Sequence, residues 1–431
     1  MLETFVSALR YPDLRRRIFF VLGMFALYVA GLHIPLPGVN RQALEELFAR
    51  GGGLLSLVDL FSGGAMRKFT IFAMGIYPYI NASIIMQLLT MAIPSLEELA
   101  KEGGEEGRKK IGQYTRYLTV LLSIMQATGM CVALGRGQNI LHFTTFDYFR
   151  AVIALTAATC FLLWLGELIT EKGIGNGVSL IILCNIMVRM PYDIANTFQA
   201  LRAGAISFFN VLLLALLFLG VVAAVVAVQN AQRKIPVQYA RKVVGIRAYS
   251  GAQTFLPLRL NNAGVIPIIF AIAIVTFPST ILQFFGGATQ QNSWVYKVLY
   301  YFSPGMSVVA SIFYAILVML FTYFYTAVVF NPSDIADNLK KAGGFIPGVR
   351  PGQPTKEHID RVLSRVTFVG ALFLAAIALL QYYYSNITGV PSSVFTIVGG
   401  TSILILVGVA VETVQQLEAQ IAMRRYEGFI K

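Results

Sequence analysis

The side chains able to carry covalent or metal chemistry are few in this chain and lie far apart. Its three histidines, His33, His142 and His358, never fall in an HExxH pair, so the two imidazoles a zinc hydrolase needs on one helix face are missing. The three cysteines, Cys131, Cys160 and Cys184, are odd in number, lack ligand spacing and each lie in an apolar run. That fits packing better than a disulfide framework or a zinc site. No GxSxG nucleophile elbow and no GxxxxGK[ST] phosphate loop is present, so hydrolase and P-loop nucleotide chemistry lack their parts. The expectation is a chain with no catalytic residue, no metal and no cofactor, hence not an enzyme.

The polar groups that do recur are cationic. With 34 Lys and Arg against 21 Asp and Glu, the formal net charge is +13. The cations gather in a few loops, and the loops join long apolar runs. At 431 residues, 56% hydrophobic, 13% charged and mean hydropathy +0.68, the composition is that of a multispanning helical membrane protein. Runs of about 17 to 25 mostly apolar residues place spans near 18–35, 69–92, 114–134, 149–169, 178–191, 205–228, 263–285, 307–331, 366–384 and 393–411. The N-terminal run follows a basic flank without a small-residue cleavage site and is expected to be the first span, not a removed signal. Ten spans put both termini on one side. Roughly three quarters of the 34 Lys and Arg fall in the two tails and the loops of that side, which makes it cytoplasmic by the positive-inside bias.

Two loops on that side are long. Residues 229–262 include Val237, Tyr239, Val243, Val244 and Tyr249 around Gly245, a strand-like composition that predicts a protruding hairpin. Residues 331–365 carry a Gly/Pro-rich tip, KKAGGFIPGVRPGQPT, followed by Thr355 as the cap of a short helix with Glu357 in its first turn. Loops of this size are uncommon without a task. Positive-inside bias explains their charge but not their length, so they are read as docking surfaces for an acidic or RNA-bearing partner.

Between the first two spans lies a stretch of a different kind. Leu54–Phe61 is apolar except for Ser56 and Asp59 and is closed by Ser62-Gly63-Gly64. As a helix it would reach only about 12 Å, against roughly 30 Å of hydrocarbon, so it predicts a re-entrant segment. The basic pair Arg67-Lys68 would then lead into a second span kinked at Pro78. Irregular backbone at this depth is tolerated only inside protein or along a cavity. Ionisable groups are otherwise rare in the spans. Glu167 and Glu412 fall near span ends, and Arg189 at the outer end of its span. A secondary solute or ion transporter, the main alternative, would keep such groups at the midplane. A docking scaffold without transport, a second alternative, has no use for a re-entrant piece. A pathway without charges implies a seal by apolar constriction.

The chain resembles the SecY family, the central subunits of the bacterial Sec protein-conducting channel (translocon). The motifs are IPLPG at 34–38, LFSGGA at 60–65, YINASII at 79–85, WLGELITEKGIGNGVS at 164–179, IPVQYARK at 235–242, LPLRLNNAGVIPIIFA at 256–271, FYTAVVFNPSDIADNLKKAGGFIPGVRPG at 324–352 and GGTSILI at 399–405. They run in family order over nearly the whole length.

The resemblance implies an all-α membrane protein of ten transmembrane helices in two inverted, pseudo-symmetric halves, residues 1–195 and 196–431, around an hourglass pore. It implies a plug at about 54–66, with Leu54, Leu55, Leu57, Val58, Leu60 and Phe61 as its apolar side chains. The pore ring would be Ile76, Ile80, Val178, Ile182, Ile269 and Ile405, where Val178 is smaller than the family's usual Ile. Asn81, Gln87 and Asn262 could bridge a lateral gate between spans 2 and 3 and spans 7 and 8. Arg241, Lys242, Arg247, Arg350 and Tyr426 would meet partners, although Ile246 stands where the family often has a second basic residue. The implied partners are the SecE and SecG subunits, the SecA ATPase, the ribosome, signal sequences, unfolded polypeptide and membrane lipid. The implied setting is the inner, cytoplasmic membrane.

Overall fold

The computed structural model describes residues 9–40, 42–44, 46, 62–101, 103–138, 145–239, 243–244, 247–248, 253–284, 307–391, 394–395 and 400–427. The six expected plug side chains, Leu54, Leu55, Leu57, Val58, Leu60 and Phe61, lie outside these residues, as do Arg241 and Lys242.

A helix stands at each of the ten expected span positions. They are α1 (Pro12–Gly31), α3 (Tyr77–Ala92), α5 (Gly104–Gln138), α6 (Thr145–Lys172), α7 (Gly177–Arg202), α8 (Phe208–Asn230), α9 (Ile266–Phe284), α10 (Val308–Val329), α12 (Gln353–Thr388) and α13 (Gly400–Glu427). Short helices α2 (Ala65–Lys68), α4 (Pro94–Lys101) and α11 (Pro332–Lys341) lie between them. Among the described residues, α6, α7, α8, α10, α12 and α13 are long and apolar enough to cross a bilayer, and the bent pair of α3 and α4 would make a seventh.

Three local expectations are corrected. Residues 69–76 form turns around an isolated bridge of Thr70 with Pro35, so Pro78 sits in the first turn of α3 and does not kink the middle of a longer helix. First-turn N–H groups have no intrahelical acceptor, and proline fits there without loss. Thr355 is inside α12, whose first residue is Gln353. Its hydroxyl donates to the Arg350 carbonyl at 2.8 Å, and it caps no separate short helix. The helix it belongs to continues unbroken for 36 residues into the ninth span. Finally, α7 runs past Pro191 to Arg202, so a division at 195/196 would cut a helix. The turn between the fifth and sixth spans is 203–207.

The packing of helices repeats. In the first half α3 packs on α5, α5 on α6, α6 on α7, α1 on α6 and α7, and α3 on α6. In the second half α9 packs on α10, α10 on α12, α12 on α13, α8 on α12 and α13, and α9 on α12. Adding five to each span number turns the first set into the second. Because five is odd, the second copy runs through the membrane in the opposite sense, the arrangement of an inverted repeat. The two sets meet along α5 with α9 on one side and along α7 with α8 and α13 on another. The main apolar cluster is shared by both.

The strands gather at one end. β1 (Gln232–Tyr239) and β4 (Gln253–Arg259) pair antiparallel from Gln232↔Arg259 to Gln238↔Gln253, and β2 (Val243–Val244) pairs with β3 (Arg247–Ala248) nearer the tip. This is the expected hairpin. The sequence did not suggest that β5 (Gly344–Phe345), from the other long loop, adds to the edge of β1 through Gln238↔Phe345 and Tyr239↔Gly344. Ile235, Val237 and Leu258 of the hairpin share a small core with Ile346, Ile359 and Leu363. The two loops therefore make one module. Leu14 and Ile18 of α1, Ile174 before α7, and Leu417 and Ile421 of α13 form a further cluster. Arg259 of β4 also bonds Gln415 of α13 at 3.1 Å. The start of α1, the fourth-to-fifth loop, the module and the end of α13 thus share one face.

Candidate functional site

The six aliphatic positions come from four helices of both halves. Ile76 precedes the first turn of α3 and Ile80 lies one turn on, both buried. Ile182 of α7 and Ile405 of α13 are buried, while Val178 and Ile269 are half-buried. All six belong to, or pack against, the one apolar cluster common to the halves.

Local chemistry fixes where α7 begins. The Asn176 side-chain oxygen accepts from the N–H groups of Val178 and Ser179 at 3.1 and 3.2 Å, satisfying two of the donors a helix start leaves open. The Gly177 N–H donates to the Thr170 hydroxyl at 2.8 Å, and that hydroxyl donates to the Gly166 carbonyl at 2.9 Å. A Cβ on Gly177 would run into the carbonyl oxygen of Gly166. The glycine thus lets α7 start against α6, which sets the height of Val178 and Ile182.

On the face opposite the sheet module, the residues after the expected plug are docked among the helices. Ser62, Ala65, Met66 and Phe69 are buried. α2 is a single turn between Gly64 at φ 84° and Phe69 at φ 45°. The IPLPG segment straps the residues just after α2. Leu36 N–H donates to the Phe69 carbonyl at 3.0 Å and Ile71 N–H to the Ile34 carbonyl at 3.1 Å. Beside this turn lies a feature that sequence reasoning missed. Arg189 is not at the end of its span. It and Asp193 are both buried inside α7, with Nε and Oδ1 3.7 Å apart. The signal was the i, i+4 spacing of opposite charges, which lost weight once hydropathy ended the span before Asp193.

At the expected lateral gate, α5 packs against α9, closing the side between the third and seventh spans. Asn81, Gln87 and Asn262 are half-buried. Gln87 donates within its own helix to Ser83 at 3.4 Å, and the buried Asn262 amide nitrogen makes no hydrogen bond among the described residues. No bridge between these three is formed among the described contacts. On the sheet module, Arg350 is exposed at the tip, Arg247 lies in β3 opposite Val244, and Tyr426 is in the last turn of α13. An Arg116–Glu167 ion pair of 2.7 Å joins α5 to α6 with both groups well exposed, an arrangement typically worth about 0–1 kcal/mol.

The SecY family model matches residues 70–414. The protein translocase subunit SecY of Streptomyces galbus is 45% identical over 446 residues, covering 100% of both chains. That of Halalkalibacterium halodurans is 45% identical over 441 residues, again 100% of both. Among solved structures, a SecY channel described for its plug domain superposes with TM-score 0.65 at 18% identity, covering 94% of this chain and 92% of that one. Sec61 in the canine ribosome–channel complex gives TM-score 0.64 at 16% identity, covering 94% and 92%. The superpositions carry the fold, and the end-to-end identity carries the kinship: the chain belongs to the SecY family.

Proposed function

We propose that this chain is the channel subunit of a protein translocase. It passes unfolded polypeptide across a membrane and releases apolar segments sideways into lipid. It does no covalent chemistry itself and draws its energy from a partner. The observation that carries this reading is one apolar cluster shared by the two halves, to which branched side chains of α3, α7, α9 and α13 belong or against which they pack. Such side chains close on one another without water, which gates by dewetting. They can also yield around an extended chain of almost any composition. Family membership supports the reading, and the repeated packing supports two inverted halves joined at 203–207.

The remaining assignments rest on it. Ile76, Ile80, Val178, Ile182, Ile269 and Ile405 form the ring, residues 54–66 the plug, and Asn81, Gln87 and Asn262 the polar lining of the gate. The face holding both tails and the sheet module is cytoplasmic and docks the SecA motor or the ribosome through Arg241, Lys242, Arg247, Arg350 and Tyr426. SecE and SecG complete the complex in the cytoplasmic membrane. A secondary transporter is disfavoured because the buried charges of α7 are already paired with each other on one helix. A secretory precursor stalled in transit is expected to crosslink to cysteines placed at Ile80 and Ile269, and a precursor that passes neither ends the reading. Deleting residues 54–66 is expected to raise ion leak in proteoliposomes, and unchanged conductance removes the plug.

A further inference from the structure

One face of α7 turns toward the segment just after the plug. Asn185, Arg189, Asp193 and Asn196 rise along it at helical spacing. The side chains of Arg189 and Asp193 are only 5% and 4% exposed. Desolvating two charges costs several kcal/mol per ion before their attraction is counted, and apolar replacements of such pairs are often no less stable. Span stability alone is therefore a poor reason for the pair.

The surface facing it is specific. A cavity of about 120 Å³ separates α7 from the turn, bounded by Gly63, Gly64, Arg67 and Lys68 on one side and by Arg189 and Asp193 on the other. The Lys68 ammonium donates to the Tyr192 hydroxyl at 3.3 Å and lies 5.0 Å from the centre of its ring. Next to the cavity the backbones close up, since a Cβ on Gly63 would sit 3.1 Å from the Asn185 Cα. Gly63 has φ 65°, a conformation that glycine adopts without strain. The turn is thus seated on α7 by backbone fit at one end and by a cation on an aromatic ring at the other, with a buried ion pair between.

We propose that Asn185, Arg189, Tyr192 and Asp193 form a latch on α7 that holds the turn Ser62–Lys68 in place. Their grip sets how readily this turn leaves the helix wall. The ion pair gives the seat a rigid, polar floor that an apolar helix face would lack, and Tyr192 holds Lys68 at the rim. The inference rests on the plug reading only for its consequence for leak.

The test uses the complete complex in proteoliposomes, with Cys131, Cys160 and Cys184 replaced by alanine and Ser62→Cys as a buried reporter. A membrane-impermeant maleimide reads how often the turn leaves its seat, and ion conductance is measured in parallel. In Tyr192→Leu, and in the double variant Arg189→Met with Asp193→Leu that leaves no unpaired charge, labelling is expected to quicken about tenfold or more, as for a contact worth 1.4 kcal/mol. Exchanging the charges, Arg189→Asp with Asp193→Arg, is expected to return labelling toward the parent rate. Parent-rate labelling in both weakened variants overturns the latch, and so does an exchange variant that labels as fast as the apolar one. Faster labelling with unchanged conductance upholds the latch while sinking the plug reading, so the two fail separately.

Discussion

Gly177 shows how one missing methyl group positions a helix. Its backbone lies against the Gly166 carbonyl, and Asn176 caps the helix that begins there. Gly177→Ala forces α6 and α7 apart at the level of Val178. Overpacking of this kind costs about 1–3 kcal/mol, so the variant is expected to lose thermal stability and to leak more; parent-like melting and conductance would show that α7 has room to shift. The GIGNG run announced a tight turn in the sequence, but not which helix it approached. The proposed ring positions rest on family resemblance, because an isoleucine in a span looks the same whether it faces a pore, a neighbour or lipid. Arg189 was misjudged for a physical reason. Hydropathy falls at Arg189, Pro191 and Asp193, yet the helix continues because protein neighbours let a membrane helix carry an interior proline and the two charges meet on one turn.

At the level of elements, the sequence reading found the hairpin and the Gly/Pro tip but treated them as two projections. The Val and Tyr residues around Gly245 made the hairpin visible. The two residues of β5 were too short to give any period, and their pairing with Gln238 and Tyr239 spans more than a hundred positions. The shared core of Leu258, Ile235, Ile346 and Ile359 makes the loops interdependent. Leu258→Ala, a truncation of the order of 2–5 kcal/mol in a packed site, is expected to expose both loops to trypsin together. Cutting confined to residues 229–262 would mean the loops fold apart. Span positions were legible because apolar runs alternate with polar loops, although the fifth run, 178–191, has only 14 residues where its helix has 26. The start of span two was not, since residues 69–76 are largely apolar but not helical, and hydropathy is blind to that difference.

For the whole molecule, the repeat in helix packing leaves each half with its own partners and joins the two through the short turn at 203–207. Fragments ending and beginning at Gly204 are therefore expected to co-purify and to support precursor transport when produced together. Halves that never assemble would show that the connection itself holds the pair. The 36 residues of α12 are a single helix of about 54 Å, far longer than the roughly 30 Å of hydrocarbon it crosses. Its first turns are clasped by the sheet module through Ile359 and Leu363, and its distal length lies on α10 and α13, the helix that carries Ile405. It is a crowbar with its handle in the water. A force applied to the sheet therefore bears on one stiff rod, which also rests against the helix that carries Ile405.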